Sequence, residues 1–275
     1  MFLSIYLVWR NKIKDSGTTH GFGDKLRGAL FLYQYCNEKN INLKIDATDD
    51  ICSDFLKNVV STDYDKIKNQ KIINVSDKSI EIVKETIQNN LLDVSSICVY
   101  TTHWPNDLNL TEDDKNFAKF ICEPKNDIKD EVNEKIKVLP NEFGIQHFRF
   151  NDNVFKTDVD STDKIFKKFF ELLKKSYKKT DVLFTNSNNF KKYAKEQLEI
   201  KTVDCNDRLC KIEHIGESID KESVKNSFIE FRILSKAKYI KSYTSYNWQS
   251  NFVHWPVKIY DIPFDHLYID EKTLT

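Results

Sequence analysis

Glycine is scarce in this chain, with only six in 275 residues, and there are five prolines and a single methionine. Cysteine is present six times (Cys36, Cys52, Cys98, Cys122, Cys205, Cys210) but never as C-x-x-C, which excludes the common zinc ladders and thioredoxin-like redox pairs. No long apolar run exists. The stretch Phe2 to Trp9 is too short for the ~18 residues of a membrane span, and no basic segment precedes it as in a signal peptide. It suits a buried first strand, and the expectation is a cytoplasmic protein with reduced thiols and no transmembrane segment. Charge of one sign is also missing: 42 basic residues balance 42 acidic ones, so no basic excess points to nucleic acid. Arginine occurs only at Arg10, Arg27, Arg149, Arg208 and Arg232. Against so many lysines, each arginine is a candidate for work that needs a planar, bidentate fork.

What is present is a real core, with 40% hydrophobic and 13% aromatic residues. The pattern alternates strands with helices, which predicts an α/β protein. Predicted strands run over 2–9, 42–46, 71–75 and 96–101, and predicted helices over 24–37, 50–58, 79–89, 111–122 and 127–138. A second series starts at Phe143. It has strands over 143–148, 181–185, 201–203, 239–242 and 257–262, and helices over 161–177, 189–198, 223–237 and from Asn247. Residues 204–222 read as a polar loop. Pro140 and Asn141 lie between the series, so two domains are expected, 1–141 and 142–275. In open parallel sheets ligands sit beyond the carboxyl ends of strands, so chemistry is sought there.

Three segments qualify. Four of the six glycines fall between Gly17 and Gly28, in a loop that follows a strand and opens a helix. Its core, His20-Gly21-Phe22-Gly23-Asp24-Lys25-Leu26-Arg27-Gly28, departs from both G-x-G-x-x-G and the P-loop, yet offers close backbone approach beside Arg27. The strand ending His147-Phe148-Arg149-Phe150-Asn151-Asp152 puts His147 and Arg149 on one face, and Arg149 is suited to gripping a pyrophosphate. A helix through Glu230 leads to a strand and the hydroxyl-rich turn Thr244-Ser245-Tyr246-Asn247-Trp248, a second candidate phosphate cradle. D-x-D occurs twice, as Asp63-Tyr64-Asp65 and Asp158-Val159-Asp160. That is about the chance level for this aspartate content, so no metal site is assigned.

In this order the segments resemble the GDP-fucose-dependent fucosyltransferases of the α1,2/α1,6/protein-O-fucosyl superfamily. Gly21 through Leu26 is similar to its G-x-G-(N/D/C)-x-(L/I) loop. His147 through Asp152 is similar to its H-x-R-R-x-D strand end, and Glu230 through Ser235 to its helix. Thr244 through Trp248 is similar to its serine-rich turn, and Phe184-Thr185-Asn186-Ser187 to a further strand end. The resemblance implies a GT-B fold, two Rossmann-like domains facing a cleft, with acceptor on the N-terminal side and nucleotide sugar on the C-terminal side. It implies inverting, metal-independent transfer of fucose from GDP-fucose, as donor substrate, to a glycan acceptor, with no further cofactor. Arg149 would neutralise the leaving diphosphate. For the base that inversion needs, Asp152, Asp158 and Asp160 follow the same strand, and Asp158 is the choice among them. Gly21, Phe22, Gly23, Arg27, His147, Asn186, Glu230, Thr244, Ser245, Tyr246 and Asn247 would join Arg149 around the donor, with Glu230 on the guanine edge. The second arginine of the strand motif is Phe150 here. The alternatives are the same fold with GDP-mannose or a UDP-sugar, a catalytically silent nucleotide- or sugar-binding protein, or a small-molecule enzyme with flavodoxin-like domains that ignores GDP.

Overall fold

In the computed structural model of the protein, the described residues are 3–10, 21–76, 78–92, 94–205, 208, 209, 211, 212, 215 and 220–274. They fall into two units, Met1–Lys125 with Ile215–Glu217, and Asn126–His214 with Ser218–Thr275. The division lies ahead of the helix at Asn126 and not at Pro140, where the sequence put it. His20 and Gly17 of the glycine loop lie outside the described residues.

The first unit runs β1 (Ser4–Val8), α1 (Phe22–Lys39), β2 (Asn42–Asp46), α2 (Tyr64–Ile67), β3 (Ile72–Asn74), α3 (Ile80–Leu91), β4 (Ser96–Tyr100) and α4 (Glu112–Ile121). Its strands form one parallel sheet in the order β2-β1-β4-β3. Strand β1 is almost wholly buried, as its apolar run requires. Helix α4 starts on a reciprocal capping box, in which Thr111 and Asp114 satisfy each other's backbone N–H. Helix α1 begins two residues earlier than expected, on Gly21 as N-cap, and Asp24 lies in its first turn. Gly28 is required by packing: a Cβ there would lie 1.9 Å from the Thr101 carbonyl oxygen, so α1 rests directly on the end of β4. The helix expected over 50–58 is only a 3-10 turn, Ile51–Asp54, which Asp50 caps through the Cys52 N–H.

The second unit runs α5 (Asn126–Lys137), β5 (Ile145–Arg149), α6 (Lys164–Ser176), β6 (Val182–Thr185), α7 (Asn188–Leu198), β7 (Lys201–Thr202), β8 (Asp204–Cys205), β9 (Arg208–Leu209), α8 (Lys221–Leu234), β10 (Ile240–Thr244), α9 (Asn251–Tyr260) and β11 (Phe264–Tyr268). Five of these strands make a parallel sheet in the order β11-β10-β5-β6-β7. The segment expected to be only loop contains the small antiparallel pair β8–β9. One expectation is reversed near the end. Residues 257–262, read as a strand, mostly belong to α9, which carries Pro256 in its interior, and the last strand is the later segment β11. Val253, Trp255, Pro256 and Ile259 are buried, and this apolar face holds the helix together through the proline.

Alternation along β5 and β10 sorts their side chains onto two faces. One face is aromatic: Phe148 stacks on Tyr243 at 4.5 Å between centroids and packs on Phe169 and Phe190. Phe150 extends the same core, 4.7 Å from Phe169 and 1% exposed. The strong apolar stripe of α6 supplies Ile165, Phe166, Phe169 and Leu173 to this core. The other face is polar.

Candidate active site

In the second unit the chain order of the sheet is third, second, first, fourth, fifth, which makes the gap between β5 and β10 its topological switch point. Arg149 and Thr244 are register partners across that gap, at the carboxyl ends of both strands. Two rows of polar residues cross the sheet there. The lower row is His147, Ser242 and His266, on β5, β10 and β11; the upper row is Arg149, Thr244 and Tyr268. Parallel strands buried on both faces are normally apolar throughout, so this row pair needs another explanation than packing.

His147 is buried and shares a 2.9 Å hydrogen bond with Ser242 Oγ through Nδ1. Burial first, and then the positive charge of Arg149, depress its pKa to about 3, so the ring is neutral at ordinary pH. Arg149 pairs with the exposed Asp152, lies 5.0 Å over the Phe155 ring, and keeps 14% of its side chain open to solvent. Its carbonyl accepts the Ser245 N–H at 3.1 Å, which ties the turn after β10 to the end of β5. Ser245 Oγ lies just beyond this joint, buried and without a hydrogen-bond partner. A buried hydroxyl with no partner costs ~1–3 kcal/mol, and at a switch point the natural partner is a ligand oxygen. The Tyr246 hydroxyl bonds to Arg149 and Ser250, and its ring meets Trp248 at 4.7 Å. Asn247 and Trp248 are exposed.

Other expected residues have partners of their own. Asn186 clamps the backbone of Phe150, accepting its N–H at 2.8 Å and donating to its carbonyl at 3.1 Å, so it steadies the strand end that carries Arg149. Asp158 accepts from Ser187 Oγ at 2.5 Å and from the Asn189 N–H at 2.8 Å; both oxygens are engaged at the start of α7. Glu230 is 2% exposed, and the fully buried Lys191 donates to it at 2.5 Å. Burial pushes the Glu230 carboxyl up and the lysine opposes this. The carboxylate expected to read a guanine edge is therefore spent on α7. In the first unit, Phe22 and Gly23 are buried within α1 and Gly21 is its cap. Arg27 pairs with Asp24 at 3.3 Å, donates to the Thr102 carbonyl, and lies 4.9 Å over the Trp104 ring, itself 44% exposed.

His266 was missed in the sequence because its strand was. Thr244 Oγ1 contacts both the Tyr246 carbonyl at 2.8 Å and His266 Nε2 at 2.9 Å. The hydroxyl has one proton and a carbonyl can only accept, so Thr244 donates to Tyr246 and His266 donates Nε2–H to Thr244. The β-prone residues Phe264, Leu267 and Tyr268, following Pro263, were the available signal.

Among the described residues no group of three or more His, Cys, Asp or Glu is arranged to hold a metal ion, and no helix is long and apolar enough to cross a membrane. Cys36, Cys52, Cys98 and Cys122 are buried and in no disulfide, and burial raises the thiols of Cys36 and Cys98 to about 12 and about 11, which leaves these two protonated.

No family model matches the chain, and no curated protein matches it in sequence. Solved structures do match. The NodZ α-1,6-fucosyltransferase co-crystallised with GDP aligns at a TM-score of 0.58 and 11% identity, over 93% of this chain and 92% of that one. A mutant of FUT1 from Arabidopsis thaliana in complex with GDP aligns at 0.61 and 11%, over 98% and 70%. POFUT1 in complex with GDP-fucose aligns at 0.54 and 9%, over 96% and 97%. The two parallel sheets with their helices are thus the paired Rossmann-like architecture of the GT-B class. Within that class the fold is the one these GDP- and GDP-fucose-bound fucosyltransferases share, as the sequence motifs implied.

Proposed function

We propose that the protein is a sugar-transfer enzyme that moves fucose from GDP-fucose to a glycan hydroxyl, with inversion and without a metal ion. The second unit holds the donor in this reading and the first unit the acceptor. The observation that carries it is Arg149 at the switch point between β5 and β10, its carbonyl tied to the Ser245 N–H of a turn whose buried hydroxyl has no partner. A guanidinium and a hydroxyl-bearing turn at the ends of these strands suit a diphosphate.

In the reaction the acceptor oxygen attacks the sugar's anomeric carbon from the face opposite the diphosphate. The bond from that carbon to the phosphate oxygen breaks, and its electron pair leaves on the β-phosphate. The growing negative charge is met by Arg149 and the turn at Ser245, fixed donors that need no rearrangement as charge develops. The acceptor proton goes to a carboxylate. Asp158 has both oxygens bound, whereas Asp152 is exposed beside Arg149 and is the better placed of the two.

A second reading is favoured by one contact. Because Glu230 is held by Lys191, the base of the nucleotide is less constrained than its sugar-phosphate part, which leaves room for GDP-mannose or a UDP-sugar. Incubation with GDP-fucose, GDP-mannose and UDP-sugars over a glycan library, read by mass spectrometry, decides between them. Thermal stabilisation by GDP and not by UDP rules out the UDP-sugars, and turnover then separates GDP-fucose from GDP-mannose. Donor binding with no turnover on any acceptor leaves a silent binding protein instead.

A further inference from the structure

The polar face carries a histidine at its edge that the transfer reaction above does not use. His266 stands on the edge strand β11, in the row His147–Ser242–His266, and reaches up to the hydroxyl of Thr244 in the row above. The tautomer follows from that contact: Nε2 carries the proton, and Nδ1 is a free acceptor with no partner among the described residues. Arg149 is the register partner of Thr244, so the imidazole is bonded to the residue that stands beside Arg149 across the switch point. We propose that His266 is the proton-linked residue of the donor site: when a diphosphate binds at Arg149, Nδ1 takes one proton from solvent and the imidazolium adds a second positive charge. The inference rests on the reading that this crevice takes a nucleoside diphosphate.

The surrounding charges explain the behaviour in both states. The titratable or charged groups nearby are Arg149 and His147 on β5, Tyr246 after β10, and Tyr268 on its own strand; Asp152 lies beyond, paired with Arg149. His147 is neutral, and Tyr246 is held protonated by burial. With no anion bound, partial burial desolvates His266 and lowers its pKa below the ordinary 6.5. A ligand with two or three negative charges reverses the local field and favours the imidazolium. By linkage, whatever raises the proton affinity of the complex makes the ligand bind tighter as pH falls between the free and bound pKa values. The device also bears on Phe150. That position is taken by the aromatic core, so a second permanent cation is absent from the strand end, and His266 supplies its charge from the neighbouring edge only when an anion is there to be neutralised.

The test is calorimetric titration of GDP into the intact protein at about pH 6, 7 and 8, each in two buffers of different ionisation enthalpy. The wild-type protein is expected to take up a proton on binding. His266→Gln retains a donor for Thr244 and is the control for the titration of GDP itself. It is expected to lose the uptake and to lose most affinity at the acid end, with the wild-type advantage shrinking toward pH 8 by up to about 10-fold per pH unit. Buffer-independent heats in the wild type, or the same pH profile in His266→Gln, would overturn the inference while leaving the diphosphate site standing. A wild-type protein that binds neither GDP nor inorganic pyrophosphate overturns the functional reading and the inference together. If the variant does not fold, buffer-independent heats in the wild type still overturn the inference.

Discussion

The two faces of the second sheet are made by the same strands and follow opposite rules. On one face Phe148, Phe150 and Tyr243 lock into Phe169 and Phe190, and every ring has an aromatic neighbour. On the other, His147, Ser242, His266, Arg149 and Thr244 form two polar rows, His147 bonded to Ser242 and His266 to Thr244, and in the turn beyond them the Ser245 hydroxyl has no partner. Stability is concentrated on the first face. The second face costs free energy to desolvate and is laid out for something that is bound. A sheet used only as a scaffold would have had aromatic or aliphatic residues on both.

Substitutions on the two sides should therefore separate stability from activity. The largest loss of stability is expected from the core side. Phe148→Ala removes the ring at the centre of the cluster and should cost ~3–5 kcal/mol, read from chemical denaturation. Lys191→Met leaves the buried Glu230 without its cation and should cost about as much, ~3–5 kcal/mol. If Lys191→Met is instead neutral in stability and changes the nucleotide preference, Glu230 belongs to the base pocket. On the polar side the order reverses: Arg149→Ala should reduce transfer by about 10²–10³ while the melting temperature hardly moves.

The pH dependence of stability should also come from the polar face. His147 is neutral in the fold with a pKa of about 3, against 6.5 ordinarily, and His254 is at about 4. Unfolding lets these rings take protons, so their contribution to stability is complete above about pH 6.5 and is lost as pH falls through that window, at up to ~1.4 kcal/mol per unit for each group. His147→Gln should flatten the decline between about pH 6.5 and 4. An unchanged slope would place the acid sensitivity elsewhere. The smallest effect is expected from Ser245→Ala. It should leave stability unchanged or slightly raised, because the hydroxyl it deletes is unsatisfied, while weakening GDP binding several-fold.

The alternation of strands and helices was legible because β1 and β6 are largely apolar runs and α6 has a wide apolar stripe, signals that depend on local burial alone. Arg149 and Ser245 were legible as residues following strands. The partners were not. Nothing local pairs Lys191 with Glu230, or Asp158 with Ser187, because those contacts are set by how α7 packs on its neighbours. The end of the chain misled for a physical reason: Pro256 and the alternating Val257-Lys258-Ile259 suggested a strand, while buried Val253, Trp255 and Ile259 keep the segment helical and push the last strand, with His266, further along.

The central claim is that the switch point between β5 and β10 grips a nucleoside diphosphate through Arg149. Calorimetric titration of GDP into the wild-type protein and into Arg149→Ala tests it most directly. The account predicts saturable binding by the wild type and a loss of at least about tenfold in the variant at unchanged melting temperature, in line with removal of a charged hydrogen-bond donor. Equal affinity in the two proteins, or no binding in either, would contradict it.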